Sequence, residues 1–322
     1  MKRFKDILCV MEMGEACELA LERAVTLAEN NQASLTVVNV VERVPAGIAI
    51  SDAADLRDAI ERAHMQRLET LVAPYRARLA INTGVLTGVQ FMEIIRQVLR
   101  GKHDLVIKIP QVQEWLDRLL GSDDMHLLRE CPCPVWLIKP QEAKSYRRVL
   151  AAVDVRDTYP AAELETRAAL NRQILEMASS LALSDFAELH IVAVWEALGE
   201  SAMRGSFMHT PEEKIVAYVE QVRQQHAAGL DSLLREVMTR IGKDAMDYLK
   251  PRTHLVKGWA RREIPALAKR IEPDLVVMGT VARTGIPGFF MGNTAETILN
   301  QIDCSVLAVK PPGFVTPVTL EG

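Results

Sequence analysis

The chain has 322 residues, about twice an ordinary domain, and 49% of them are hydrophobic, which is enough for two separate cores. With 38 basic and 42 acidic residues the net charge is −4, so there is no excess of positive charge to hold nucleic acid or an anionic membrane. The five cysteines lack zinc-ribbon or redox spacing and the seven histidines are scattered, so the sequence gives no metal site.

The N-terminal segment enters a short apolar run and then turns polar, without the apolar core and cleavage site of a signal peptide, and no stretch is long enough to span a bilayer. A cytoplasmic protein is expected. Residues 7–11 (Ile-Leu-Cys-Val-Met) read as a strand that ends at Glu12, and helical apolar spacing follows over 17–28. Strands are expected over 34–41, 83–87, 104–107 and 135–138, with helices over 52–79, 91–99 and 124–130. Cys131-Pro-Cys133, just before the last of these strands, reads as two buried thiols.

The second half repeats this order. Strands at 148–154, 188–194 and 253–256 match the first three, and the pattern recurs at fixed offsets. Gly88 with Glu93-Ile94 returns as Gly258 with Glu263-Ile264, and Asp104-Leu-Val returns as Asp274-Leu-Val, each 170 residues on. Gly121, Cys133 and Lys139-Pro140 return as Gly292, Cys304 and Lys310-Pro311, each 171 residues on. A duplicated domain follows, with residues 1–140 as the first copy, 146–312 as the second and 313–322 as a polar tail. Strands alternating with helices imply an α/β fold in which each copy is a five-stranded parallel sheet flanked by helices. The apolar final strands, 135–138 and 306–309, would leave open sheet edges, so pairing between the copies or between chains is expected.

Ligands of such sheets bind beyond the carboxyl ends of the strands, which in the second copy carry Asp154, Val194 and Gly279. Gly279 opens the glycine-rich stretch Gly279-Thr-Val-Ala-Arg-Thr-Gly285-Ile-Pro-Gly288-Phe-Phe-Met-Gly292. Asn293 and Glu296 then form a capping-box pattern, placing the start of a helix where unpaired N–H groups attract an anion. The plainer reading is a tight turn with a capped helix behind it. The first copy differs. Its fourth strand runs into Lys108-Ile-Pro-Gln, where proline removes a donor, and Asp123 and Asp124 oppose a bound triphosphate.

The loop just described, the sequence Met291-Gly-Asn-Thr-Ala-Glu296, the ending Cys304-Ser-Val-Leu-Ala-Val-Lys310-Pro and the acid closing the first strand together resemble the universal stress protein family. The segment from His126 to Lys139 and the tail Thr316-Pro-Val resemble its tandem, two-domain branch. The resemblance implies two UspA-like, Rossmann-like domains. Family members that bind ATP share Gly, two residues, Gly, nine residues, Gly and then Ser or Thr. Here the spacing is kept as Gly279, Ala282, Gly292 and Asn293, with two of the four positions changed. By the same resemblance ATP or another adenine nucleotide is the expected cofactor, with no metal beyond a nucleotide-bound magnesium. Asp154 would accept from the ribose, the Val194 backbone would meet the adenine, and the N–H groups from Gly292 to Thr294 would hold phosphates. Arg283 is added as a phosphate partner from its place in the loop. The first copy is expected not to bind.

A single carboxylate, Asp154, with Glu296 read as a cap, does not make a phosphoryl-transfer site, so a ligand-binding stress protein is preferred to an enzyme. The alternatives are an interaction or scaffold protein, a carrier of an apolar metabolite between the domains, and a slow ATPase. Met203, Phe207, Met208, Tyr218, Met238 and Met246 could cover an apolar ligand or simply fill the core. The expected partners are the copies for one another as an internal pseudo-dimer, a second chain in a homodimer, and a small molecule.

Overall fold

The computed structural model describes residues 4–12, 17–43, 53–110, 123–140, 145–205, 210–280 and 291–320. In the first copy β1 (Asp6–Val10), α1 (Cys17–Asn31), β2 (Ser34–Val41), α2 (Ala53–Val72), β3 (Ile81–Thr87), α3 (Gln90–Gly101), β4 (Leu105–Lys108), α4 (Asp123–Glu130) and β5 (Val135–Leu137) follow in order. The second copy runs β6 (Arg148–Val153), α5 (Ala161–Asp185), β7 (Glu188–Trp195), α6 (Glu200–Arg204), α7 (Glu212–Ile241), α8 (Lys243–Leu249), β8 (Arg252–Lys257), α9 (Ala260–Ile271), β9 (Leu275–Gly279), α10 (Asn293–Leu299) and β10 (Ser305–Val309). Helix α2 ends earlier than residue 79, because Pro74 lacks the donor needed to continue it, and one 3-10 turn over Ala73–Tyr75 replaces the last stretch.

All ten strands form one sheet, in the order β3-β2-β1-β4-β5-β10-β9-β6-β7-β8. Pairing is parallel within each copy and antiparallel at the seam, where Leu137, Trp136 and Val135 face Val306, Leu307 and Ala308. The two apolar edges foreseen in the sequence are therefore closed against each other. Each of these six side chains is buried, and re-exposing a large one would cost about 1.5–3 kcal/mol, which opposes separation of the copies.

Side chains alternate across the sheet. Ile7, Cys9, Val149, Ala151, Leu275 and Val277 enter one core beneath α1, α2, α5 and α7, whereas Leu8, Val10, Leu150, Ala152, Val276 and Met278 enter the other beneath α3, α4, α9 and α10. Burial on both faces explains why the strands read as continuous apolar runs. The repeated aspartates start the central strands: Asp104 accepts the amides of Lys5 and Asp6 at 2.7 and 3.2 Å, and Asp274 accepts those of Arg147 and Arg148 at 2.6 and 2.8 Å. The tail is not merely polar chain. Val318 is buried in the second core, and the Thr319 carbonyl accepts from Arg96 on α3 at 3.1 Å.

Helices also cross the seam. Arg23 on α1 pairs with Asp185 on α5 at 3.2 Å and lies 3.7 Å over the ring of Tyr146. On the opposite face Arg129 on α4 pairs with Glu296 on α10 at 2.9 Å. Among the described residues no helix is long and apolar enough to cross a membrane.

Candidate functional site

A cavity of about 500 Å³ opens at the carboxyl ends of the second copy's strands. Asp154 after β6, Val194 on β7, Gly279 closing β9, and Gly292, Asn293 and Thr294 at the start of α10 all line it. These six of the eight residues singled out from the sequence are thus brought together. The other two, Ala282 and Arg283, lie outside the described residues.

Asp154 is the best-held side chain of the site. Arg156 Nε and Nη2 donate to its two oxygens at 2.9 and 2.8 Å, Tyr159 Oη donates at 2.6 Å, and the Arg156 amide approaches at 3.3 Å. Burial alone would raise its pKa, but the Arg156 hydrogen bonds and charge, together with the Tyr159 hydroxyl, hold it below the usual carboxylate range. The same contact, after burial, pushes the Tyr159 phenol up to about 12. Arg167 stacks 3.5 Å from the Tyr159 ring centroid and stands 3.7 Å from Asp154. Asn171 on α5 fixes the backbone beneath, accepting from the Asp154 amide at 3.1 Å and donating to its carbonyl at 2.7 Å. Four donors already occupy the carboxylate, about as many as its lone pairs accommodate.

The glycine at the end of β9 has a packing reason. A side-chain carbon at Gly279 would come within 2.8 Å of Leu170 on α5, so the residue lets helix and strand end approach. Thr280 follows, buried. Its hydroxyl donates to the Leu128 carbonyl at 3.3 Å and accepts from Lys310 Nζ at 2.7 Å, while Lys310 also donates to the Leu128 and Arg129 carbonyls. Burial pushes the Lys310 ammonium down to about 7.

The start of α10 departs from the capping box read in the sequence. Gly292 is the N-cap residue, no side chain caps the helix, and Glu296 turns instead to Arg129 of the other copy. The Gly292 amide donates to the Thr280 carbonyl at 3.1 Å, so it is not among the donors open to an anion.

In the first copy the part that corresponds to Asp154 and Met278 is filled. Register sets Val10 against Lys108, as it sets Ala152 against Met278. Lys108, only 1% exposed, lies 2.5 Å from Glu12 and 2.7 Å from Asp124. Burial disfavours its charge, but Asp124 and Glu12 outweigh that and raise the pKa. Beside it a cavity of about 510 Å³ remains, lined by Val40, Glu42, Gly88, Val89 and Asp123, the counterparts of Val194, Glu196, Gly258, Trp259 and Thr294.

Several participants were not singled out from the sequence. Arg156 and Tyr159 follow Asp154 at short spacing, so their proximity to it was there to be read. Lys108 was visible as a charge ending an apolar strand. Arg167, Glu196 and Trp259 come from separate elements and carried no such signal. Met238 packs against the core and Met246 is buried there, which is the filler reading for these two methionines, while the part-buried Tyr218 donates its hydroxyl to the Leu198 carbonyl at 2.8 Å; Phe207 and Met208 lie outside the described residues.

Comparison with known proteins agrees with the repeat. Residues 3–139 and 145–310 match the model of the universal stress protein family. "Universal stress protein E" of Escherichia coli K12 is 28% identical over 330 residues, covering 100% of this chain and 98% of the relative. A Pseudomonas aeruginosa UCBPP-PA14 structure assigned to the universal stress proteins superposes with a TM-score of 0.67 at 25% identity, over 96% of this chain and 94% of that one. A universal stress protein of Archaeoglobus fulgidus, at 17% identity, has a TM-score of 0.61 over 95% and 96% of the two chains.

Proposed function

Since this chain belongs to the universal stress protein family, with two tandem domains, we propose that its second copy binds an adenine nucleotide and that its first copy does not. The observation that carries the reading is the contrast between equivalent places. Asp154, Gly279 and the start of α10 border an open cavity, whereas in the first copy Lys108 with Glu12 and Asp124 fills the part beside the first strand's acid, leaving a cavity toward β2 and β3. Phosphates lie toward Asn293 and Thr294; Arg283 is kept as a further partner from its place in the sequence, and Ala282 stands where the family's ATP-binding pattern has a glycine. The ribose lies beside Asp154. Its hydroxyls compete there with Arg156, whose partly exposed guanidinium turns away to admit them. The base lies toward Val194.

Among the described residues the cavity carries two carboxylates, Asp154, held by Arg156 and Tyr159, and Glu196, which accepts from Trp259, and this reading assigns them to holding the ligand, so that the protein responds to stress through a bound nucleotide. Its two copies act as a built-in pseudo-dimer.

Thermal unfolding of the full chain tests this. Millimolar MgATP should raise the melting temperature, and Gly292→Asp, which puts a carboxylate at the cavity without straining a backbone at φ −62°, should abolish the rise. No rise in the unaltered chain would reject the reading.

A further inference from the structure

Sheet order lays out the cavity. Moving from β9 through β6 to β7 and β8, its floor passes from Gly279 to Asp154 and then to Glu196 and Trp259. Trp259 precedes α9 and is 56% exposed, leaving much of a large aromatic surface uncovered. Yet the indole is held. Its Nε1 donates to Glu196 at 2.9 Å, and the Arg261 guanidinium sits 5.2 Å from the ring centroid. In the first copy the residue after the matching glycine is Val89, so the aromatic belongs only to the copy whose cavity reaches across its central strands.

We propose that Trp259 and Glu196 form a base-reading pair that selects adenine. The inference rests on the nucleotide reading above and adds to it the choice of base. The indole supplies a flat surface on which a purine stacks, and stacking tolerates any purine. Glu196 supplies the discrimination. Its carboxylate only accepts, and the Trp259 N–H occupies one of its lone pairs, leaving others for the amino group at the edge of adenine. Hypoxanthine carries a carbonyl at that position, so acceptor would face acceptor, and an unmatched polar edge discriminates more strongly than a change of size.

The test uses the full chain, with ATP and ITP titrated against tryptophan fluorescence and against melting temperature. ATP should quench the fluorescence and bind about tenfold or more tighter than ITP. Trp259→Ala should weaken ATP by about tenfold, while Trp259→Phe keeps most of the affinity and loses most of the quenching. Glu196→Gln, whose amide can turn its NH2 toward a carbonyl, should narrow the preference for ATP over ITP. ATP binding that is unchanged in Trp259→Ala, or ITP binding as tight as ATP, overturns the pair and leaves the nucleotide reading intact. No binding of either nucleotide to the unaltered chain overturns both.

Discussion

Lys108 and Met278 stand at equivalent points of the two copies, opposite Val10 on β1 and Ala152 on β6. One is a buried cation clamped between Glu12 and Asp124, the other a thioether in the core beneath the open cavity. The cation with its two acids therefore occupies, in the first copy, a place that the second copy leaves to its cavity.

Removing that cation leaves two acids without their shared partner. Lys108→Met should cost about 3–5 kcal/mol of stability, as for other buried ion pairs broken from one side. Replacing all three, with Glu12→Gln and Asp124→Asn, should recover much of the loss. Urea midpoints of the single and triple variants check this, and a single variant as stable as the parent would contradict it.

Acid should weaken the fold through the pair on β7 and β8. His190 Nδ1 and His254 Nε2 share a hydrogen bond of 3.0 Å between nearly parallel rings. Burial, aided by the charges of Arg252 and Arg148, lowers the pKa of His190, and burial with the charges of His190, Arg270 and Arg252 lowers that of His254. Both are thus harder to protonate folded than unfolded. The stability they contribute is present above the unfolded value of about 6.5 and is lost as pH falls below it toward the folded values. Melting temperature should drop between pH 7.5 and 5.5, and His254→Gln should flatten that slope. An equal slope in the variant would refute the assignment.

Lys310 ties the second copy's Thr280 to the end of the first copy's α4. Lys310→Met removes the donor from three acceptors and should destabilise the chain by about 1–3 kcal/mol. Hydrogen exchange should then quicken at α4 and at the strand end before Thr280. Exchange that quickens uniformly over both copies would mean that the lysine is not a local tie.

The repeat, the strands and the place of the cavity were legible because each rests on a short signal: apolar runs, Asp104 and Asp274 at strand starts, and a glycine ending a strand. The limits of α2 were less so, since Ala, Arg, Glu and Leu favour helix through residue 79 and only Pro74 opposes it. Glu296 was misread for a different reason. Capping is a local pattern, but its partner Arg129 lies 167 residues away in the other copy, and that charge pair wins. Lys108 was visible as a residue, but its pairing escaped similarly, because its two acids come from just after β1 and the start of α4.

The most direct measurement is the stoichiometry of nucleotide on the full chain, by calorimetry with MgATP. The account predicts one equivalent per chain, lost entirely in Gly292→Asp. Two equivalents, or one that survives that substitution, would contradict it.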